Sequence, residues 1–275
     1  MKLRYFVGAG LLLLPSVIPA SAEKFFAVDP ISGCKVVFDS PVNEGELLRW
    51  VGPCKDGLAS GQGALQWVEG GVLMGSYEGQ MAQGIIEGEG ALHFFEDGGY
   101  TRLIGTFKDG ALDGEGSIAY ANGDLMSGSF VDGKLNGHGQ FLGEDGSSYL
   151  GTFKSGIPHG FGESVLADGE AYSGGFEDGD RHGDGYLELA NGEFYAGEFR
   201  NGFAHGQGFF LTLEGDHYAG EFELGAISGV GTLTSTNGTV VQGKFTKAGP
   251  EGTVIVHRAD GTVVVQIWKD GEVVE

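Results

Sequence analysis

Positive charge is scarce in this sequence: 16 lysines and arginines stand against 38 aspartates and glutamates, a formal charge of −22. Such a field repels phosphate backbones and anionic head groups, so nucleic acid and acidic membranes are poor electrostatic partners. Cysteine is nearly absent, with Cys34 and Cys54 alone. In an exported chain a lone pair is most simply a disulfide, and without nearby histidines or CxxC spacing it makes a poor zinc or redox site. The apolar run from Tyr5 to Leu14 is too short for the roughly 20 residues of a membrane-spanning helix. Catalytic fingerprints are also missing: there is no GxSxG elbow, phosphate loop, HExxH helix or dinucleotide motif. No cofactor is expected.

The first 22 residues carry an export pattern. Lys2 and Arg4 give a positive start, Tyr5 to Leu14 an apolar stretch, and Pro15 to Ala22 a polar tail ending Ala20-Ser21-Ala22, with cleavage expected after Ala22. No cysteine follows where a lipoprotein signal needs one, so the mature chain is expected without a lipid anchor, in the periplasm or outside the cell. Losing two positive charges and no acid takes the formal charge from −22 to −24.

Glycine is what the chain has in excess, 54 residues against 7 prolines, far above the usual share of about 7%. They repeat. Gly52 and Gly75 are followed by Gly105, Gly128, Gly151, Gly174, Gly197, Gly220 and Gly243. Two places on stand Tyr77, Phe107, Phe130, Phe153, Phe176, Phe199, Phe222 and Phe245, with Cys54 in the first unit and Trp268 opening a truncated tenth. A fixed period with several places in register marks a tandem array. The seven phenylalanines are read as a structural ladder, strongest in its middle.

Each unit continues with GxxxGxG glycines, an apolar strand and a second turn, often Asn-Gly or Asp-Gly, as at Asn122-Gly123 and Asp168-Gly169. Such dipeptides favour a type I′ turn, so each unit reads as two strands and two turns. The unit from Gly75 runs longer to Gly105, and its extra residues, around Gln80–Gln83 and Tyr100–Leu103, are expected as loops on the array's edge. In YxGxFxxG, alternation places tyrosine, glycine and phenylalanine on one face. A neighbouring-strand glycine then gives the ring a floor.

This pattern closely resembles the MORN repeat family, whose consensus runs roughly YxGxFxxGxxHGxGxxxxxxGxxY. The resemblance covers residues 52 to about 271. It implies an all-β fold, an elongated single-layer antiparallel sheet of tandem β-hairpins, with binding or scaffolding roles and no catalytic residues in the repeat. The domain order is then a signal over 1–22, an N-terminal cap over 23–51 and an array over 52–275 of about nine 23-residue units plus a truncated tenth. The segment from Cys34 through Trp50 to Cys54 resembles the leading segment of bacterial exported members, and reads as a disulfide-pinned cap over a bare strand edge.

Other constellations are weaker. His159, His182 and His205 share a register, but like positions two strands apart lie about 9 to 10 Å from one another, too far for easy convergence on one ion. The acidic run Glu177–Asp184 puts Leu189 where a calcium loop needs glutamate, and Asn237-Gly-Thr is explained by its turn. No metal site is expected. The candidate binding face is the row Tyr149, Tyr172, Tyr195 and Tyr218, stiff amphipathic rings suited to an extended protein or peptide partner; the same rings could instead only pack on glycine. Two other functions stand beside a binding scaffold. Lipid binding is disfavoured by the charge, and a glycan hydrolase would need two carboxylates in a cleft rather than in recurring turns. Nothing in the pattern specifies an oligomeric state.

Overall fold

The computed structural model describes residues 24–38, 45–96 and 99–275; the export pattern of residues 1–22 lies outside them. The described residues form strands and turns with no helix. They divide into two compact units, one running to Asp145 and including Thr152–Ile157, the other taking Gly146–Gly151 and Pro158–Glu275.

In each unit sequence-neighbouring strands pair antiparallel. In the second, Ala171–Glu177 pairs with Asp180–Glu188, that strand with Phe194–Arg200, and so on to Val263–Lys269. In the first, the ladder starts at Glu46–Val51 against Gly61–Glu69 and continues through Val72–Ala82, Ile85–Glu96 and Gly99–Lys108. The fold is the expected antiparallel run of tandem hairpins. In neither unit do the described end strands pair with one another to close a barrel.

The type I′ geometry, expected at the second turn of each unit, is found at the first. Positive φ at both central residues is found at Asp109-Gly110, Asp132-Gly133, Ser155-Gly156, Asp178-Gly179 and Asn201-Gly202, so the type I′ turns follow the phenylalanine strand. At the second turn only the glycine is left-handed, as at Gly123 and Gly192. There the Gly192 N–H donates to Leu189 O at 2.7 Å and the Leu189 N–H to Glu193 O at 2.8 Å, the bonding of a three-residue loop with a bulge. Asparagine or aspartate is favoured there for its side chain. Asn191 Oδ1 accepts the Glu193 N–H at 3.0 Å, and Asp168, Asn237 and Asp260 accept from the residue two places on in the same way, as Asx turns.

The I′ turns also tie repeat to repeat. The Gly133 N–H donates to Leu112 O at 2.8 Å, Gly179 to Pro158 O at 2.9 Å, and Gly202 to Arg181 O at 2.9 Å. The strand Lys35–Phe38 extends this edge: its Lys35 N–H donates to Gly57 O at 2.9 Å and its Val37 N–H to Gly84 O at 2.8 Å. The leading segment thus lines the turn edge, where a cover over a bare strand edge was expected, and Glu46–Val51 is itself the first strand of the repeat sheet. Cys34 and Cys54 are bonded, pinning the residue before Lys35–Phe38 to the short hairpin Cys54–Ala59, with which that strand shares a small four-stranded sheet.

The extra residues near Gly75 form strand, not loop. Tyr77 lies across Gly79 and Gly90, a β-carbon on either coming within 2.5 Å of its ring or hydroxyl, and Gly79 pairs with both Gly63 and Gly90. The repeating glycine of this unit is therefore Gly79, Tyr77 fills the tyrosine place, and Met81, 3% exposed, fills the phenylalanine place. Two hairpins are lengthened at their second turns. One adds Trp67↔Gly75 and Glu69↔Val72, the other Phe94↔Thr101, Phe95↔Tyr100 and Glu96↔Gly99.

Candidate functional site

The four tyrosines of the expected binding face are buried: Tyr149, Tyr172, Tyr195 and Tyr218 are at most 3% exposed. Each ring lies flat over two facing glycines. A β-carbon on Gly185 would come within 2.4 to 2.6 Å of the Tyr172 hydroxyl and ring, and Gly208 and Gly231 meet Tyr195 and Tyr218 in the same way. The hydroxyls are used as well. Tyr172 donates to Gly175 O at 2.9 Å, Tyr195 to Glu198 O at 3.0 Å and Tyr77 to Gln80 O at 2.8 Å. In each case the acceptor follows the repeating glycine, where the ladder shifts register at a bulge and frees a carbonyl. Trp50 uses its indole N–H on Pro53 O at 3.0 Å. These rings offer a partner no free surface, so the binding-face reading of the row is corrected to packing. Serine at Tyr172 and Tyr195 would disrupt the sheet and not merely a contact.

The phenylalanine ladder stands where it was expected. Phe107, Phe130, Phe153, Phe176, Phe199, Phe222 and Phe245 are 1 to 6% exposed. In the second unit they alternate with the tyrosines edge to face. Phe176 contacts Tyr149 and Tyr172 with ring centroids 5.1 Å away in both cases, Phe199 contacts Tyr172 and Tyr195 at 5.0 and 5.1 Å, and Phe222 contacts Tyr195 and Tyr218 at 4.9 and 5.4 Å.

Burial pushes the phenols of Tyr77, Tyr149, Tyr172 and Tyr195 up to about 12, and that of Tyr218 in the same direction. In the unfolded chain tyrosine ionises near pH 10, so between about 10 and 12 the folded state holds more protons and stability falls as pH rises. Alkaline titration is expected to release the phenolate absorbance of this row together with the sheet's circular dichroism. Ionisation of every tyrosine near pH 10 with the sheet intact would contradict the packing.

Arg181 is an exception that the repeat did not reveal. It holds the place filled by Leu112, Leu135, Pro158, Ala204 and Ile227 in other units, is 6% exposed, pairs with Glu170 and lies 5.0 Å over the Tyr172 ring. The three histidines in register stay apart. His159 faces Asp178 at 3.8 Å and His182 faces Glu177 at 3.2 Å. Among the described residues no group of three or more metal-ligating side chains converges. Asp132 and Asp178 sit in I′ turns with φ near 50°.

The opposite, outward face of the sheet remains exposed. In the second unit it carries Phe161 (64%), Tyr186 (63%), Val230 (65%) and Val265 (67%). Tyr186, Ala196, Phe209 and Ala219 lie along one cross-strand row. Beside it Asp184 pairs with Glu198 and Gln207 with Glu221. A groove of about 400 Å³ opens here, lined by Glu198, His205, Gln207, Glu221, Glu223 and Ser228 among others. In the first unit the lengthened hairpin gathers a second exposed cluster. His93 lies 6.5 Å from Phe95 and 5.9 Å from Tyr100, and the last two rings are 6.2 Å apart. Tyr100, placed in a loop by the sequence, is thus a strand residue of this cluster. Burial first, and then the charge of Arg102, lower the His93 pKa.

A search of curated proteins finds no match. Among solved structures, the chain is similar to the SAS-4 TCP domain of Drosophila melanogaster in complex with a proline-rich motif of Ana2, at 14% identity over 56% of this chain and 84% of that one, TM-score 0.36. It is also similar to virginiamycin B lyase of Staphylococcus aureus, at 8% identity over 82% of this chain and 89% of that one, TM-score 0.17. Likeness at this level carries no functional argument. A family model described as MORN repeat matches residues 55–72, 77–96, 104–125, 127–148, 149–171, 172–194, 195–212 and 218–240. The second match opens at Tyr77, the register found in the fold. With more than half of its residues covered by eight tandem matches, the chain belongs to the MORN repeat family.

Proposed function

We propose that this chain is an exported, non-catalytic scaffold that holds a protein or peptide partner on the outward face of its repeat sheet. The observation that carries this reading is the division of labour between the two faces. The tyrosines and phenylalanines of one face are spent on packing, while Tyr186 and Phe161 on the other stay exposed among carboxylates. Exposed aromatics rimmed by polar groups are what partner surfaces are made of. The disulfide between Cys34 and Cys54 fits an oxidising compartment, in keeping with the export pattern. The carboxylates belong to turns and an open face, which favours binding over hydrolysis.

A photo-crosslinking side chain placed at Tyr186 in the full chain tests this in the native envelope. Protein adducts are expected from position 186, and far fewer from a turn position such as Glu214. Absence of adducts at Tyr186, or adducts of equal yield at Glu214, would remove the outward face as the binding surface.

A further inference from the structure

Residues 160–239 hold fourteen aspartates and glutamates against two arginines. Of those arginines, Arg181 is buried against Glu170, and Arg200, on the outward face two places beyond Glu198, sits at the turn end of its strand. No ion pair among the described residues neutralises Asp184, Glu198 or Glu221, which share the outward face with Tyr186 and Phe209. Glu198 is oriented by its own sheet, its Oε1 accepting the Gln207 N–H at 2.9 Å. Two of the carboxylates and the two aromatics recur with the repeat. Glu198 and Glu221 stand at the same place of successive units, as do Tyr186 and Phe209. Two strands per unit at about 4.7 to 4.9 Å each give a spacing of about 9.4 to 9.8 Å.

That spacing selects a ligand conformation. A polyproline II chain presents the same face every three residues, after about 9.3 Å. An extended strand repeats a face after about 6.6 to 6.8 Å and falls out of step within one unit. Resting on the binding reading above, we infer that the outward face of residues 184–221 takes a cationic, polyproline II-type segment of a partner protein lying across the strands. Lysine or arginine at every third position meets Glu198, with Asp184 opposite it on the neighbouring strand, and then Glu221, and the intervening apolar residues rest on Tyr186 and Phe209. The groove between Glu198 and Glu221 gives the cation an acidic seat, and charge complementarity excludes the acidic segments that an aromatic stripe alone would admit.

The test uses the full, disulfide-bonded chain and fluorescence anisotropy with three labelled synthetic peptides. One is proline-rich with lysine at every third position, one has the same lysines at every second position, and one has glutamate in place of lysine. The first is expected to bind at low ionic strength, at least about tenfold more tightly than the second, with loss of binding at high salt, and the third not to bind. Glu198→Gln with Glu221→Gln, and separately Tyr186→Ser, should each weaken the first peptide by about tenfold or more while leaving thermal unfolding unchanged, since the altered side chains are on the open face. Equal binding of the two lysine peptides, or unchanged affinity in the Glu198/Glu221 variant, overturns the inference. Crosslinked partners at Tyr186 that persist in that variant would leave the scaffold reading standing and sink only this ligand assignment. Failure of both the peptide and the crosslinking would sink both.

Discussion

Phe176→Ala is expected to destabilise the chain by about 3 to 5 kcal/mol in chemical denaturation, the range for removing a well-buried ring. Phe176 is 4% exposed and its ring meets both Tyr149 and Tyr172 edge to face. Alanine would therefore forfeit two aromatic pairs, worth about 0.5 to 1.5 kcal/mol each beyond area burial, and open a gap between consecutive rungs. Trp268→Ala should cost distinctly less, because Trp268 is only half-buried and its indole N–H reaches a side chain of its own strand, Gln266, at 3.3 Å. Equal losses at the two positions would contradict a ladder in which each ring is held by the next.

The second large effect comes from adding a single methyl group. A β-carbon on Gly174 would lie 2.6 Å from the Gly185 Cα and 2.7 Å from Asp184 O, besides 2.4 Å from the Tyr172 hydroxyl. Two of these obstacles are backbone of the adjacent strand, so Gly174→Ala has to push strands apart. Its cost should be at or above the upper end of the roughly 1 to 3 kcal/mol usual for overpacking. Gly185→Ala differs in kind. Its three nearest atoms all belong to the Tyr172 side chain, and removing that ring should relieve it. In a double-mutant cycle, Tyr172→Ala is expected to recover much of the loss from Gly185→Ala and little of that from Gly174→Ala. Gly169→Ala is a useful reference: nothing stands within 4 Å, and only its φ of +91° opposes the change. If the two cycles give the same coupling energy, the glycines are not acting as a floor for the ring.

Much of this packing was legible in the sequence, because it is the part that repeats. The phenylalanine register and the pairing of an aromatic with a glycine were read from recurrence alone, and both stand. The register of the early units was not. Gly75 and Tyr77 mimic the glycine and aromatic two places apart seen in later units, and only the ring of Tyr77 lying on Gly79 and Gly90 reveals the true alignment. Turn type was hidden for a similar reason. Xaa-Gly occurs at both turns, and a dipeptide does not disclose whether two or three residues make the loop, nor that Asn191 serves with its side chain. The buried state of the tyrosines was open in the sequence, since alternation assigns a face but not its coverage. Least legible was the outward face. Asp184, Gln207 and Val230 hold equivalent places with nothing in common, so a search for periodicity passes over the positions that vary most, which is where a binding surface is built.

The turn glycines set how such a chain can change in size. Because the Gly179 N–H reaches Pro158 O and the Gly202 N–H reaches Arg181 O, each module is latched to the one before it at a constant stride. A whole module can be gained or lost and the latches close again, whereas an odd residue inside a strand would turn every later side chain over. The early hairpins reveal the permitted exception. The added length lies at the free tips, in facing pairs such as Phe95 and Tyr100, and the latched margin is kept, with the Gly110 N–H on Ile86 O at 3.0 Å. Such an array changes its reach by whole divisions, and a single division lengthens at its free tip.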